Sequence, residues 1–135
     1  MNKYQNIVEK IHASPFKLVI VSSGGGTNAI SSLLQVPGAS NTILESYIPY
    51  SKESMNEFLN SKPDKYCSLD TCLSMAANAY KKSRKIDPQS KTKYLLGISI
   101  TANLSTTYEK KCDHKFFIVV QSHEYTKYLV CYLDK

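Results

Sequence analysis

Hydrophobic residues recur at helical spacing near the start of the chain and then form an unbroken run. Four of them predict a short amphipathic helix over residues 3–12, which Ser14-Pro15 ends. The apolar face of this helix consists of Tyr4, Ile7, Val8 and Ile11. Residues 16–21, Phe-Lys-Leu-Val-Ile-Val, form an apolar run that is too continuous for a strand with one solvent-exposed face. They therefore predict a buried central strand, and we expect the helix to cover the sheet.

The alternation of helix and strand patterns continues as far as residue 86. A second helical pattern ends at Val36-Pro37-Gly38, and residues 42–48 then predict a strand. Ser51 and Ser68 are predicted to cap two further helices, the second of which extends to about Ile86. The apolar faces of these three helices are Ala29, Ile30, Leu33 and Leu34; Met55, Phe58 and Leu59; and Leu69, Cys72, Leu73, Ala76 and Tyr80.

Three strand-like runs complete the pattern, at residues 94–100, 116–121 and 127–133, and a turn at 122–124 joins the last two. Early alternation of helices and strands followed by a hairpin predicts an α/β fold. We expect a three-layer α/β/α sandwich with a mixed, mostly parallel sheet and a C-terminal hairpin. A length of 135 residues predicts one domain, residues 1–135.

Composition narrows the class of protein. An apolar content of 42% excludes global disorder, and no apolar run approaches the roughly 18–20 residues of a membrane span. The N-terminus lacks the hydrophobic stretch of a signal peptide, so we expect a soluble, cytoplasmic protein with no membrane partner. The four cysteines contain no Cys-x-x-Cys pair, which predicts reduced interior thiols and no metal site.

The net charge of the chain is positive, but almost all of its basic residues are lysines. Seventeen basic and eleven acidic residues give +6, and Arg84 is the only arginine. Because specific base readout and phosphate forks depend on arginine, nucleic-acid binding is not favoured. A cluster of cations closes the long helix and complements its negative end, an interpretation that we prefer to a phosphate patch. The cluster comprises Lys81, Lys82, Arg84 and Lys85.

Three of the five glycines stand together at residues 24–26, between a predicted strand and a predicted helix. Such a turn directs unpaired backbone N–H groups and a positive helix end at one point, where anions bind. Residues 24–29 satisfy the loose dinucleotide pattern GxGxxA, with Glu45 at the distance of a ribose partner. However, the chain is short for a dinucleotide fold, and Glu45 can instead lie inside its strand. The structural alternative is a tight turn that needs glycine for positive φ or close packing.

A second candidate segment runs from Val36 to Ser40, and Tyr50-Ser51-Lys52 follows ten residues later. A serine directly after a Pro-Gly turn can expose its hydroxyl as a nucleophile, although such a serine is also typical of a turn or N-cap. The histidines are remote in sequence and no triad signature is present, so a tyrosine or lysine would have to act as the base.

Taken in this order, these segments resemble the C-terminal domain of the competence/damage-inducible protein CinA. Members of that family carry four motifs in order. These are a Glu-Ser-Cys-Thr-Gly-Gly turn and the segments Val-Pro-Gly-Ser-Ser, Thr-Tyr-Ser-Asn-Glu-Ala-Lys and Thr-Gly-Ile-Ala-Gly-Pro. The counterparts here are residues 22–27, 36–40, 49–55 and 101–105. The likeness covers nearly the whole chain and is closer to a eukaryotic branch, in which similar domains are attached to a nucleotidyltransferase-like domain. The family includes amidohydrolases that convert nicotinamide mononucleotide to nicotinate mononucleotide and ammonia.

The resemblance implies a role for individual residues. Ser40 matches the nucleophile, Tyr50 the tyrosine of the Tyr-Ser pair and Thr101 the threonine that lines the amide pocket, and Lys52 is the nearest candidate for the base. The implied nucleotide-binding residues are Ser23, Gly24, Gly25, Gly26, Thr27 and Ser51. If the resemblance holds, Ser40, Tyr50 and Thr101 converge on one cleft beside the glycines. It further implies a homodimer that binds a pyridine nucleotide and needs no cofactor.

The chain departs from the family pattern at three places. The family's lysine base falls at Met55, whose thioether cannot accept a proton from serine. The family's glycine-rich loop is here Thr-Ala-Asn-Leu-Ser at residues 101–105, which lacks glycine. The family's C-terminal arginine has no counterpart before Lys135, which suggests a domain shortened at its C-terminus.

Three functions follow from these observations. The first is amide hydrolysis of nicotinamide mononucleotide, with weak activity or none because the base is altered. The second is a module that binds a pyridine nucleotide or a related phosphate ligand without reaction. The third is an oligomerisation domain with a vestigial site.

Overall fold

The computed structural model describes residues 4–103 and 114–133. Within them, five strands form one sheet in the order β2-β1-β3-β4-β5. The strands are β1 Lys17–Ser23, β2 Ile43–Tyr47, β3 Leu95–Asn103, β4 His114–Gln121 and β5 Thr126–Leu133. Both β2 and β3 lie parallel to β1, whereas β4 lies antiparallel to β3 and forms a hairpin with β5. The sheet is therefore mixed, with a parallel half and a C-terminal hairpin, as predicted.

Four helices occur in the described residues, and those that pack on the sheet lie on both of its faces. They are α1 Gln5–Ala13, α2 Thr27–Gln35, α3 Lys52–Leu59 and α4 Leu69–Ile86, and short 3-10 helices form at Ala39–Asn41 and Thr92–Tyr94. Because side chains alternate along β1, its two faces belong to different cores. Leu18 and Ile20 pack with Ile30 of α2, whereas Val19 and Val21 pack with residues of α3 and α4. This division confirms the predicted α/β/α sandwich.

The structure confirms both predicted helix caps. The Ser51 hydroxyl accepts a hydrogen bond from the Ser54 amide at 3.0 Å, and the Ser68 hydroxyl accepts one from the Thr71 amide at 3.1 Å. Each bond satisfies an amide that the helix itself leaves unpaired.

The long helix α4 lies directly on β3 at Gly97. A Cβ atom at this position would overlap the backbone of Ala76 and Tyr80. Only glycine permits so close an approach of helix and strand backbones. None of the helices in the described residues has the length and apolar character that a membrane span requires.

Candidate ligand-binding site at the glycine turn

The three parallel strands end at one edge of the sheet, which we call the carboxyl edge. The glycine turn follows β1 there, and Pro49, Tyr50 and Ser51 follow β2. Ser23 is the register partner of Thr101 in β3, and its hydroxyl donates to the Pro49 carbonyl at 3.1 Å. The ends of β1, β2 and β3 are thus held together. Ligands of open α/β sheets commonly bind at this edge.

The glycine turn requires glycine at two of its three positions. Gly24 and Gly26 have φ angles of +80° and +91°. A Cβ atom on Gly24 would lie 2.5 Å from the Ala102 carbonyl oxygen, and one on Gly26 would lie 2.5 Å from a methyl of Ile100. The structural explanation of the triplet therefore holds for these two residues. Gly25 does not share the positive φ, and its carbonyl accepts a hydrogen bond from the Ser22 hydroxyl.

The turn also leads into the N-terminus of α2. Gly26 is the N-cap of this helix and, having no side chain, makes no capping hydrogen bond, and Thr27 begins the first turn. The first amides of a helix have no partner within it, and they carry the positive end of the helix dipole. An acceptor placed at Thr27 and Asn28, both exposed, would meet these amides directly.

The Tyr-Ser-Lys segment lies at the same edge, but its side chains differ in availability. The Tyr50 side chain is 83% exposed beside the turn. The Ser51 hydroxyl caps α3 and is already engaged. The Lys52 ammonium is exposed and lies 5.8 Å from the centre of the Tyr66 ring.

Two other family positions lie in the α3/α4 layer. Met55 is 1% exposed and belongs to the core cluster that contains Val21 and Met75. Thr101 is buried and lies two residues after Ser99 in β3, on the same face of the sheet. The Ser99 hydroxyl contacts the Cys72 thiol of α4 at 3.1 Å, so the Thr101 side chain is directed toward that helix. The residues of β3 that approach the glycine turn are instead Ile100 and Ala102.

Ser40 lies at the opposite edge of the sheet. It belongs to the 3-10 helix that precedes β2, where the Thr42 carbonyl accepts a hydrogen bond from the Leu18 amide at 2.8 Å. Ser23 lies five positions after Leu18 in β1, which is a distance of about 16 Å along a strand. The expectation that Ser40 meets Tyr50 and Thr101 in one cleft is therefore corrected: within one chain, the parallel strands hold them apart.

His12 lies beside the Ser40 segment, near Gly38 and Thr42, and its role was not predicted from the sequence. Its Nδ1 lies 2.7 Å from the Thr42 hydroxyl, and its Nε2 lies 2.9 Å from the Leu33 carbonyl. Because both ring nitrogens are engaged, His12 joins α1 to α2 and to Thr42, the residue before β2, and it is not available as a base for Ser40. Its position four residues after Val8, on the buried face of α1, was the available sequence signal.

The dinucleotide interpretation also fails at Glu45. This residue lies inside β2, where its carboxylate accepts a hydrogen bond from Tyr47. Burial and this bond raise the pKa of the Tyr47 phenol above its usual value. Glu45 is thus occupied within the sheet and does not stand at the strand end where a ribose partner is needed.

Comparisons with known proteins give a consistent result at the level of fold. No family model and no curated relative matches the sequence. A competence or damage-inducible protein from Enterobacter asburiae matches with a TM-score of 0.76 at 13% identity, over 100% of this chain and 86% of that one. The competence/damage inducible protein CihA from Agrobacterium tumefaciens matches with a TM-score of 0.69 at 13% identity, over 94% and 75% of the two chains.

A third solved structure, a CinA superfamily protein from Escherichia coli, has a TM-score of 0.69 at 9% identity and covers 97% of this chain and 75% of its own. At such low identities, the likeness concerns the arrangement of the backbone. The chain therefore has the fold of the CinA/competence-damage proteins.

Proposed function

We propose that this chain binds a pyridine mononucleotide at the carboxyl edge of its parallel strands and that its capacity for amide hydrolysis is weak or absent. The observation that carries the proposal is the glycine turn, which opens the uncapped N-terminus of α2 beside the joined ends of β1, β2 and β3. Backbone amides and a helix dipole at one point suit a phosphate group. The pyridine nucleotide is the ligand implied by the CinA-like fold and by the motif order.

Hydrolysis would require groups that the described residues do not bring together. The amidohydrolase interpretation assigns attack to Ser40 and proton transfer to Tyr50 and Lys52. Ser40 lies at the other edge of the sheet, and Lys52 is exposed. The base position, Met55, is part of the core. Loss of general-base catalysis alone lowers rates by about 10²–10⁴-fold.

An ammonia assay separates binding from reaction. Incubated with nicotinamide mononucleotide, the protein is expected to release no more ammonia than a Ser40→Ala variant does. Release well above that of the variant would establish the amidohydrolase and refute the inactive-module proposal.

Binding is measured independently of reaction by thermal denaturation. A ligand present at a hundred times its dissociation constant stabilises the folded state by about 2.7 kcal/mol. We expect nicotinamide mononucleotide to raise the melting temperature. No change at any concentration would favour the third function, an oligomerisation domain with a vestigial site.

A further inference from the structure

A cavity lies outside the glycine turn, where α3 and α4 meet the end of β2. Its volume is about 640 Å³, within the range of small-molecule sites. Two helix faces form its walls, one on α3 at positions 54, 57 and 58 and one on α4 at positions 78, 81, 82 and 85. These spacings place each set on one side of its helix. The last two residues of β2 and the two that follow it, residues 46–49, form the floor.

The charged lining of this cavity is mostly basic. Lys81, Lys82 and Lys85 line it together with a single carboxylate, Glu57, which leaves an excess of two positive charges. Lys82 is held in place by Tyr47, whose ring centre lies 5.5 Å from the ammonium. In the described part of the chain, the side chains of Lys81 and Lys85 make no hydrogen bond or ion pair. Two ammonium groups are therefore available to a ligand.

The helix dipole explains only part of this lysine cluster. The last turn of α4 contains Arg84 and Lys85, and the dipole effect is confined to that turn. Lys81 and Lys82 precede it. Arg84 does not line the cavity, whereas the two earlier lysines do. The cavity thus gives a structural reason for the positions of Lys81 and Lys82, which the helix dipole does not explain.

The floor and the α3 side of the cavity together form an aromatic and apolar wall. The rings of Tyr47 and Phe58 pack with their centres 5.2 Å apart, and Ile48 and Pro49 extend the same surface. A cavity with ammonium groups on one side and ring faces on the other matches a ligand that is anionic at one end and planar at the other.

We propose that this cavity is a second ligand site, which takes a phosphorylated small molecule with a planar ring, such as a nucleoside monophosphate. Lys81 and Lys85 contact the phosphate, Lys82 remains packed on Tyr47, and the ring of the ligand packs on Tyr47 and Phe58. Pro49 borders both sites, but no residue of the glycine turn lines the cavity, so separate variants test the two proposals.

Calorimetric titration of the full chain with adenosine monophosphate at physiological salt tests this site. The Lys81→Gln/Lys85→Gln variant removes the two available ammonium groups. A control variant, Lys62→Gln/Lys91→Gln, removes the same charge from exposed lysines that do not line the cavity. We expect the first variant to lose about tenfold or more in affinity and the control to lose about twofold or less. Inorganic phosphate should bind more weakly than the nucleotide, because it leaves the aromatic wall empty.

A Gly25→Asp variant separates this site from the glycine turn. It places a carboxylate at the N-terminus of α2 and should leave binding in the cavity unchanged. Equal losses in the two double variants would overturn the proposal, since they would mean that only net charge matters. Loss of binding in Gly25→Asp would overturn it as well, by assigning the nucleotide to the glycine turn, and so would absence of binding to the unmodified protein.

Discussion

The three glycines of the turn are not equivalent. Gly24 and Gly26 are required by left-handed backbone and by close contacts with β3, whatever the turn binds. Gly25 does not have a positive φ angle, so its backbone conformation does not require glycine. A side chain at this position therefore tests the ligand site without changing the conformation of the turn. The binding proposal can therefore be examined at a single residue.

Cys72 gives a pH dependence at the residue scale. Burial raises the pKa of its thiol from 9.0 to about 11. The folded state therefore keeps its proton where the unfolded state has lost it, and the stabilisation is complete below pH 9. We expect the free energy of unfolding to fall between about pH 9 and 11, by on the order of 2 kcal/mol.

Urea denaturation across this pH range measures the effect. A Cys72→Ala variant should be less stable at pH 8 but should show a shallower fall, because it lacks the titrating thiol. Equal slopes in the two proteins would show that the thiol does not contribute.

Residue-level features were predictable where local chemistry determines them. The serine caps and the glycine turn depend on nearby backbone, and sequence alone identified them. The position of Ser40 relative to Tyr50 was predicted wrongly, because ten residues can form either a loop that brings the two side chains together or a strand that separates them. A strand places them at opposite edges, and only the sheet topology shows this.

At the scale of elements, α4 should depend strongly on its N-cap. The Ser68 hydroxyl satisfies the Thr71 amide and also lies 3.3 Å from the Lys65 carbonyl. Ser68→Ala is expected to lower the free energy of unfolding by about 1 kcal/mol. Ser74→Ala, an exposed change inside the same helix, should be neutral or slightly stabilising, because alanine is the better helix former.

Thermal or chemical denaturation of both variants provides the comparison. If Ser74→Ala proved as destabilising as Ser68→Ala, the cap would not be the source of the loss.

The bounds predicted for the strands agree with the observed ones to within three residues, and the differences have physical reasons. The strand predicted over 16–21 is observed at Lys17–Ser23, because Ser22 and Ser23 continue the pairing with β3 although they are polar. A prediction from hydrophobicity alone therefore ends this strand two residues too early. The polar end of β1 is the part that carries Ser23 to the candidate site.

At the scale of the whole molecule, the described sheet has two edge strands, β2 and β5. On β5, Tyr128, Leu129 and Tyr132 are 60%, 55% and 66% exposed. Exposed apolar edges favour pairing with another chain. We predict a homodimer, with a mass about twice the 15.2 kDa of the chain.

Size-exclusion chromatography with light scattering measures this mass. Tyr132→Lys, on the β5 edge, should shift the protein toward monomer if that edge pairs. A monomer of the unmodified protein at every concentration would contradict the prediction.

The central claim, a mononucleotide site at the glycine turn, is tested most directly by calorimetric titration with nicotinamide mononucleotide. Gly25→Asn and Gly25→Asp add side chains of nearly equal size and differ in charge at the N-terminus of α2. The claim predicts that the unmodified protein and Gly25→Asn bind and that Gly25→Asp loses about tenfold or more in affinity. Equal affinities of the two variants, or no binding by the unmodified protein, would contradict it.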